Sequence, residues 1–435
     1  MAQKTGEPLS AATQDLLDTE EAYTAGGFAP TPGFIVSGKG STMVDVDGKE
    51  ILDFAATMST VNLGHCHPKV TSAVTNIATH SDGWPSVAKA LCQKLGYDKV
   101  AAMVTGAEAT DSAVKIARKW GIVRKGIAPD DVLVLGCSDN YHGLTSGIWP
   151  IMNPGSGQEG YGISSKNVTN RSPKTGTQLR YGHVEDYEAV IGEMHGRIAG
   201  VMMEPIHGTL RTFEEEINFA IGVRQLCKKF NVLFISDEVR MGSGKTGKFL
   251  CSDWLGAENK PDMITLGKSI TGGVYPASYV LGSNDTMTLI QPNQVASTYA
   301  MSPAGNAAVL AALSVYGDEN LLARATVIQE RWNAVTSKWN HPFIEYCTAR
   351  GADLGIVIKE GVDNVTPRRI ARLAYQKGVL IYPQNPRLRC SVALTIEDVE
   401  LDKGLRILTE VMDEVSLYGE IAGSTHAAEE IAAGF

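Results

Sequence analysis

The sequence predicts an α/β protein: a large domain with a mostly parallel sheet covered by helices, plus a smaller α+β unit. Three observations carry that prediction. The chain has 435 residues, 43% hydrophobic and 20% charged, which allows one large core and a second small one and excludes wholesale disorder. Through most of the chain, short apolar runs bounded by turn residues alternate with stretches of helical spacing. That order places parallel strands beneath covering helices. Beyond about residue 325 the pattern changes to a long polar helix followed by mixed short runs.

The strand candidates are VLVLG (132–136), GVMME (200–204), VLFISDEV (232–239), MITLG (263–267) and SYVLG (278–282). They are apolar without alternation, as strands buried on both faces are. Helical spacing covers Ala107–Arg124, Tyr187–Met194 and Phe213–Phe230. The last opens on three glutamates suited to a helix N-terminus and reads as an exposed amphipathic helix. The Gly-rich, Pro-containing stretch from 150 to 180 has no period and reads as a surface excursion. Later come GADLGIVIKE (351–360), a helix over Arg368–Gln376, VLIYP (379–383), SVALTI (391–396) and a closing helix from Asp398. The expected division is an N-terminal segment (1–65) contributing to the small domain, a large domain (66–324) and the small C-terminal domain (325–435).

Charge narrows the function. Thirty-nine basic residues against 48 acidic ones give a net charge of −9, spread along the chain. A nucleic-acid partner needs a basic face, so none is expected. No apolar run approaches the ~20 residues of a membrane span. The seven cysteines (66, 92, 137, 227, 251, 347, 390) are scattered without CxxC spacing and read as reduced thiols. The first 25 residues carry Glu7, Asp15, Asp18, Glu20 and Glu21, unlike an Arg-rich presequence or an apolar signal. The AAGF end is no peroxisomal address. A cytoplasmic protein is expected.

Three motif-like stretches carry little. GSGKTG (242–247) has the end of a phosphate loop, but Val239 stands where its first glycine is required. GSGQEG (155–160) follows Asn-Pro instead of a strand, and no helical pattern follows it. HCH (65–67) has poor zinc spacing and reads better as a satisfied turn.

The chemistry concentrates in FISDEV followed by TLGKSITGG. Asp237 and Glu238 close one apolar strand and Lys268 closes the next, 31 residues after Asp237. Groups at the carboxyl ends of neighbouring parallel strands meet where open α/β sheets bind ligands. Two readings stand: a buried Asp–Lys ion pair, or a lysine that forms an imine. Upstream, TGAEATDSAVKIARKWG (105–121) is a Gly-containing turn opening a helix, which is an anion seat of backbone N–H groups and helix dipole.

The order of phosphate turn, Tyr141-His142-Gly143, acidic strand end, lysine and Ser297-Thr298-Tyr299 resembles the class III aminotransferases of pyridoxal-phosphate fold type I. Within that class the ornithine aminotransferases are most similar. The resemblance runs from VDVDGKEILDFAATMSTVNLGHCHPKV (44–70) through EPI (204–206) to the C-terminal domain. It implies pyridoxal 5′-phosphate as cofactor, with Lys268 as its covalent anchor and proton shuttle, and Asp237 paired to its ring nitrogen. Tyr141 would stack on the ring, within a cofactor shell that also includes His142, Val239 and Arg240. Glu204 would support the site from behind, and the backbone of Gly106 and Ala107 would hold the phosphate. Thr298 would reach the phosphate of a neighbouring subunit, implying a homodimer with shared sites.

The sequence departs from the ornithine aminotransferase pattern at substrate positions. Phe28 and Met58 replace tyrosines, Leu144 replaces an arginine, and Thr209 replaces the glutamate that shields the carboxylate-binding arginine. A glutamine near the cofactor is replaced by Arg240. The α-carboxylate arginine corresponds to Arg389, or to Arg387 after a small register shift. Losing these groups disfavours ornithine, because each polar end left unpaired costs about 1–3 kcal/mol. The expected activity is amino-group transfer between a less polar amino acid or amine and a 2-oxo acid such as 2-oxoglutarate. A racemase or epimerase of the same family, ornithine aminotransferase itself, and a non-enzymatic relative are the alternatives. Intact Lys268 and Asp237 argue against the last.

Overall fold

The computed structural model describes residues 7–23, 33–75, 83–152, 161–362 and 364–422. Two compact units emerge. One comprises Pro68–Gly244 and Lys248–Asn320; the other comprises the residues up to His67, Lys245–Gly247 and the chain from Leu321 onward.

The first unit is built on seven strands: β1 (Lys99–Met103), β2 (Leu133–Leu135), β3 (Val168–Thr169), β4 (Ile198–Met203), β5 (Leu233–Asp237), β6 (Met263–Leu266) and β7 (Ser278–Gly282), in the order β1-β7-β6-β5-β4-β2-β3. Strands β2 to β6 pair in parallel; β7 runs antiparallel to both β1 and β6. Every residue of β4, β5 and β6 is buried. Successive side chains leave on opposite faces, so Val134, Met202 and Ile235 join one core while Leu133, Leu135, Val201, Met203 and Phe234 join the other. That two-sided burial is why the runs are apolar without alternation.

Helix α1 (Gly106–Val123) covers the first face through Ala109, Ala113 and Ala117, small residues that let the helix lie close to the sheet. Helices α2 (Val184–Met194) and α3 (Phe213–Lys229) cover the second through Tyr187, Val190, Phe219 and Val223. Thr105 and Thr212 begin α1 and α3 with capping boxes, which satisfy otherwise orphaned amides.

Three differences from the sequence reading fall in this unit. Strand β1 was not among the expected strands; it is a half-exposed edge whose KVAAM run is too weakly apolar to stand out. The supposed surface excursion contributes β3 and buries Val168, Asn170 and Leu179. In α3, Glu216 is fully buried although Glu214 and Glu215 beside it suit an exposed first turn.

The second unit holds two four-stranded sheets. One pairs Ile344–Arg350, Asp353–Ile358, Arg387–Ser391 and Tyr382–Gln384, all antiparallel. The other pairs Ile35–Lys39, Thr42–Asp45 and Glu50–Asp53 with a short parallel strand, Val379–Leu380. Helices Ala11–Tyr23, Leu321–Thr336, Pro367–Gln376 and Asp398–Glu414 also belong to it. SVALTI is apolar because it is buried, not because it is a strand. The strand ends at Ser391; beyond it the Leu394 amide donates to Asn62 O (2.6 Å) and Val392 O accepts from the fully buried Lys245 Nζ (3.0 Å). Among the described residues, no helix is long and apolar enough to cross a membrane.

Candidate active site

Asp237 is the last residue of β5 and faces Thr265 of β6 in register. Its carboxylate is 2% exposed and takes three hydrogen bonds. Thr265 Oγ1 (2.9 Å) and the Val239 amide (3.0 Å) donate to Oδ1, and His142 Nδ1 donates to Oδ2 at 2.6 Å. An ionised carboxylate offers about four acceptor positions, so one remains for a further donor. Three donors also offset the cost of burying the charge. The partners are an imidazole, a hydroxyl and an amide, which is a seat built for a carboxylate and not a plain Asp–Lys ion pair. Neighbouring Glu238 is different in kind. Burial raises its pKa, and its oxygens are taken by Ser236 Oγ (2.9 Å) and the amides of Cys251 (2.7 Å) and Ser252 (2.9 Å), so it anchors a loop.

Lys268 stands two residues beyond the end of β6, opening a single tight turn, Lys268–Thr271. Its φ is +47°. A residue with a Cβ gives up about 1–2 kcal/mol to sit in that region, and such strain concentrates at functional sites. The turn is fixed by Thr271 Oγ1, which donates to Tyr275 O at 2.6 Å.

The turn preceding α1 forms an anion seat beside them. Thr105 caps the Glu108 amide (3.2 Å), and Glu108 Oε2 accepts the amides of Thr105 (2.8 Å) and Val104 (3.0 Å). Those bonds hold the Glu108 carboxyl below its ordinary pKa against the opposing effect of burial. The capping box uses the amides on either side and leaves those of Gly106 and Ala107, at the first two helical positions, for an outside acceptor. Close packing makes both neighbouring glycines necessary. A Cβ on Gly106 would come within 2.8 Å of Val239 Cγ1, and one on Gly143 (φ +114°) within 2.4 Å of the Ala107 Cβ. Val239 also lies under Gly267, so it braces the anion turn and the lysine turn together. Ser297 Oγ donates to Glu108 Oε1 at 3.1 Å, which brings the Ser-Thr-Tyr loop to the same place; Thr298 itself is exposed.

Glu204, buried just past β4, ties the remaining residues together. Its Oε2 accepts the Tyr141 amide (3.1 Å) and lies 3.4 Å from His207 Nε2, while Oε1 accepts from Arg240 Nε (3.2 Å). Arg240 also donates to His207 O at 2.6 Å. Tyr141 and Leu144 remain 44% and 49% exposed. Thr209 Oγ1 meets His207 Nδ1 at 3.1 Å, and its amide donates to Glu216 Oε1 at 2.8 Å. Sequence reasoning did not foresee Thr265, His207 or Glu216 in these roles. A threonine in the otherwise apolar MITL run was the one available signal for the first.

The other proposed substrate residues belong to the second unit, except Phe28, which lies outside the described residues. Arg389 sits mid-strand opposite Gly355 and Tyr382, and Arg387 opposite Val357 and Gln384. Burial raises the Tyr382 hydroxyl pKa, and the nearby charges of Arg389 and Arg368 draw it partly back. Met58 belongs to a turn in which Ala56, Thr57, Met58 and Ser59 all have positive φ (+44°, +46°, +57°, +66°). The turn is joined to the arginine strand by Ser59 Oγ to Ser391 Oγ (3.0 Å) and by the Ser391 amide to Phe54 O (2.5 Å). Ser391 and Arg389 share a face of that strand, so Met58 and Arg389 fall in one neighbourhood. HCH resolves as a turn in which His65 Nε2 donates to Asp53 Oδ2 at 2.6 Å.

A strand-end lysine, a buried acid with one open acceptor position and a two-amide anion seat suit pyridoxal phosphate, which needs an amine, a partner for its ring nitrogen and a phosphate cradle. Fold and site together define a pyridoxal-phosphate enzyme of fold type I. The chain belongs to the class III aminotransferases: the family profile "Aminotransferase class-III" matches residues 23–412. It is 34% identical to an ornithine aminotransferase of Schizosaccharomyces pombe over 93% of this chain and 94% of that one. Identity to the mitochondrial ornithine aminotransferase of Arabidopsis thaliana is 33%, over 95% and 88%. A solved ornithine aminotransferase of Toxoplasma gondii, whose active site has partial occupancy of pyridoxal phosphate, superposes with a TM-score of 0.84 at 28% identity, covering 93% and 95% of the two chains. An acetylornithine aminotransferase of Elizabethkingia anophelis gives 0.78 at 29%, covering 92% and 99%. The protein is thus an aminotransferase that uses pyridoxal phosphate, an amino donor and a 2-oxo acid.

Gly143→Ala is expected to weaken cofactor retention while the apo fold survives. The added methyl at φ +114° meets Ala107, and overpacking of this kind costs about 1–3 kcal/mol, or roughly 5- to 150-fold in affinity. Visible absorbance remaining after gel filtration reads the loss directly; full retention would show that the Gly143–Ala107 approach does not shape the seat.

Proposed function

We propose that this aminotransferase moves the amino group between 2-oxoglutarate or a similar 2-oxo acid and an amino acid or amine less polar than ornithine. The observation carrying this reading is Thr209. Its side chain brings no carboxylate to that position, its hydroxyl is engaged by His207, and the acid that reaches its backbone, Glu216, is committed to the Thr209 and Leu210 amides. An arginine at the α-carboxylate position then keeps its charge for a substrate carboxylate. Half-exposed Leu144 and partly buried Met58 add apolar surface where ornithine would need polar partners.

The geometry of the chain supports the following roles. Bound pyridoxal phosphate supplies an electron sink for the substrate carbanion. Lys268 Nζ tethers the cofactor and carries the proton from substrate Cα. Asp237, aligned by His142 and Thr265, uses its remaining acceptor position to hold a proton on the ring nitrogen. Gly106 and Ala107 would bind phosphate through their amides, and Tyr141, positioned by the hydrogen bond from its amide to Glu204, would cover the ring. Arg389 binds the carboxylate, and residues 66–324 form the cofactor-binding domain. Exposed Thr298 serves a second copy, making the working form a homodimer with shared sites. Racemisation, the competing reading, drew on Arg240 acting at the ring; its guanidinium is engaged by Glu204 and His207 O, which favours transfer.

Screening amino donors against 2-oxoglutarate tests the substrate. Ornithine should be a poor δ-amino donor, read as cyclised glutamate semialdehyde. Phe28→Tyr, Met58→Tyr, Leu144→Arg and Thr209→Glu combined should raise its turnover, whereas single changes should do little, because groups clamping one substrate act as a unit. Brisk ornithine activity in the unmodified protein would make plain ornithine aminotransferase the correct reading. Loss of optical rotation without any keto acid would make it a racemase.

A further inference from the structure

We propose that Asp53 and His65 are positioning residues for the amino donor: they hold the left-handed turn Ala56–Ser59, which sets where Thr57 and Met58 stand beside the strand of Arg389. This rests on the function proposed above and goes further by naming what fixes donor selectivity.

The turn is unusual in its composition. Thr57 (φ +46°, ψ +55°) and Met58 (φ +57°, ψ +43°) are left-handed, Ala56 and Ser59 also have positive φ, and none of the four is glycine or asparagine. A chain that needed only a change of direction would place glycine there. Such a conformation persists only when its surroundings over-determine it, and they do. Asp53, 2% exposed, accepts the amides of Ala55 (2.9 Å) and Ala56 (2.7 Å) on Oδ1, and His65 Nε2 at 2.6 Å on Oδ2. His65 is itself fixed by a double backbone bridge to Gly40, at 2.7 and 2.9 Å. At the far end, Ser59 bonds Ser391 and the Thr60 amide returns to Ala56 O at 2.8 Å. One buried carboxylate therefore sets the entry of the turn, and the arginine strand sets its exit.

What the turn presents is exposed Thr57 and partly buried Met58. A thioether and a methyl-bearing hydroxyl suit an apolar or weakly polar donor side chain whose carboxylate is bound at Arg389. Held rigidly, that surface discriminates between donors. Relaxed, it admits more of them and binds each less well.

The test uses the holoenzyme with saturating 2-oxoglutarate and a panel of α-amino acids graded by side-chain polarity. Asp53→Ala should raise KM for the preferred donors by roughly 10- to 100-fold, the cost of about 1 Å of misplacement, and compress the ranking of donors. The cofactor absorbance and the KM for 2-oxoglutarate should move much less. Asp53→Asn keeps an oxygen for the two amides and should restore most of the ranking. Ala56→Gly removes strain without touching the clamp, so its melting temperature should hold or rise while the ranking still compresses. A purely structural role would shift melting temperature alone. An unchanged ranking in Ala56→Gly and in every folded Asp53 variant would overturn the proposal, and if Asp53→Ala does not fold, Ala56→Gly decides. A wild-type protein that transfers no amino group at all would overturn the function itself, and this proposal with it.

Discussion

Lys268→Ala is expected to abolish turnover and leave the folded, assembled protein intact. In its proposed role the lysine would supply two things: an amine to tether the cofactor, and a mobile base at the substrate carbon. Loss of a positioned base alone costs about 10²–10⁴-fold, and loss of the tether compounds it. The fold should survive because Lys268 is half-buried at the start of a turn whose cross-links come from Thr271 and Tyr275. Alanine keeps the φ of +47° and its strain. Lys268→Gly should therefore be equally inactive yet slightly more stable, since glycine adopts that conformation freely. Single-turnover assays, melting curves and sedimentation measure all three quantities. More than a trace of activity in Lys268→Ala without an added amine would remove Lys268 from its role.

Much of this arrangement was legible before any coordinates. Strands buried on both faces announce themselves as unbroken apolar runs, so Asp237 and Lys268 could be placed at the ends of neighbouring strands from sequence alone. The Gly-containing turn before α1 was visible for the same reason, as local chemistry. What sequence hides is partnership at long separation. His142 and Asp237 are 95 residues apart, and no pattern in either segment points to the other. The three glutamates opening α3 look equivalent along the chain; only the rotation of the helix against residues 207–210 makes Glu216 the buried one. The left-handed turn at Ala56–Ser59 is hidden most completely, because the glycine that usually marks such a conformation is absent and the restraint comes from Asp53, His65 and Ser391. Met58, a proposed substrate residue, suffers most from this, since its turn is set by distant contacts and not by local pattern.

Asp237→Asn should keep cofactor bound and cut the rate by at least about 10²-fold, the loss typical of removing one preorganised electrostatic group. The three present partners all donate to the carboxylate: Thr265 and the Val239 amide to Oδ1, His142 to Oδ2. Asparagine can keep its oxygen toward Thr265 and Val239 and turn its NH₂ toward His142, whose neutral ring can shift its proton to Nε2 and accept through Nδ1. Nε2 is buried without a hydrogen-bond partner among the described residues, so that shift breaks no bond seen there, and the local fold should hold. What cannot be kept is the charge. A neutral amide has no means of holding a proton on the cofactor's ring nitrogen, and without that proton the ring is a poor electron sink. The loss should therefore fall on the proton-transfer step, with the proposed phosphate seat at Gly106 and Ala107 unaffected, giving a reduced kcat at a little-changed cofactor Kd. A primary isotope effect with Cα-deuterated donor should grow as that step becomes limiting. A near-normal rate would mean that another residue pairs the ring nitrogen and that the seat around Asp237 serves only to anchor the end of β5.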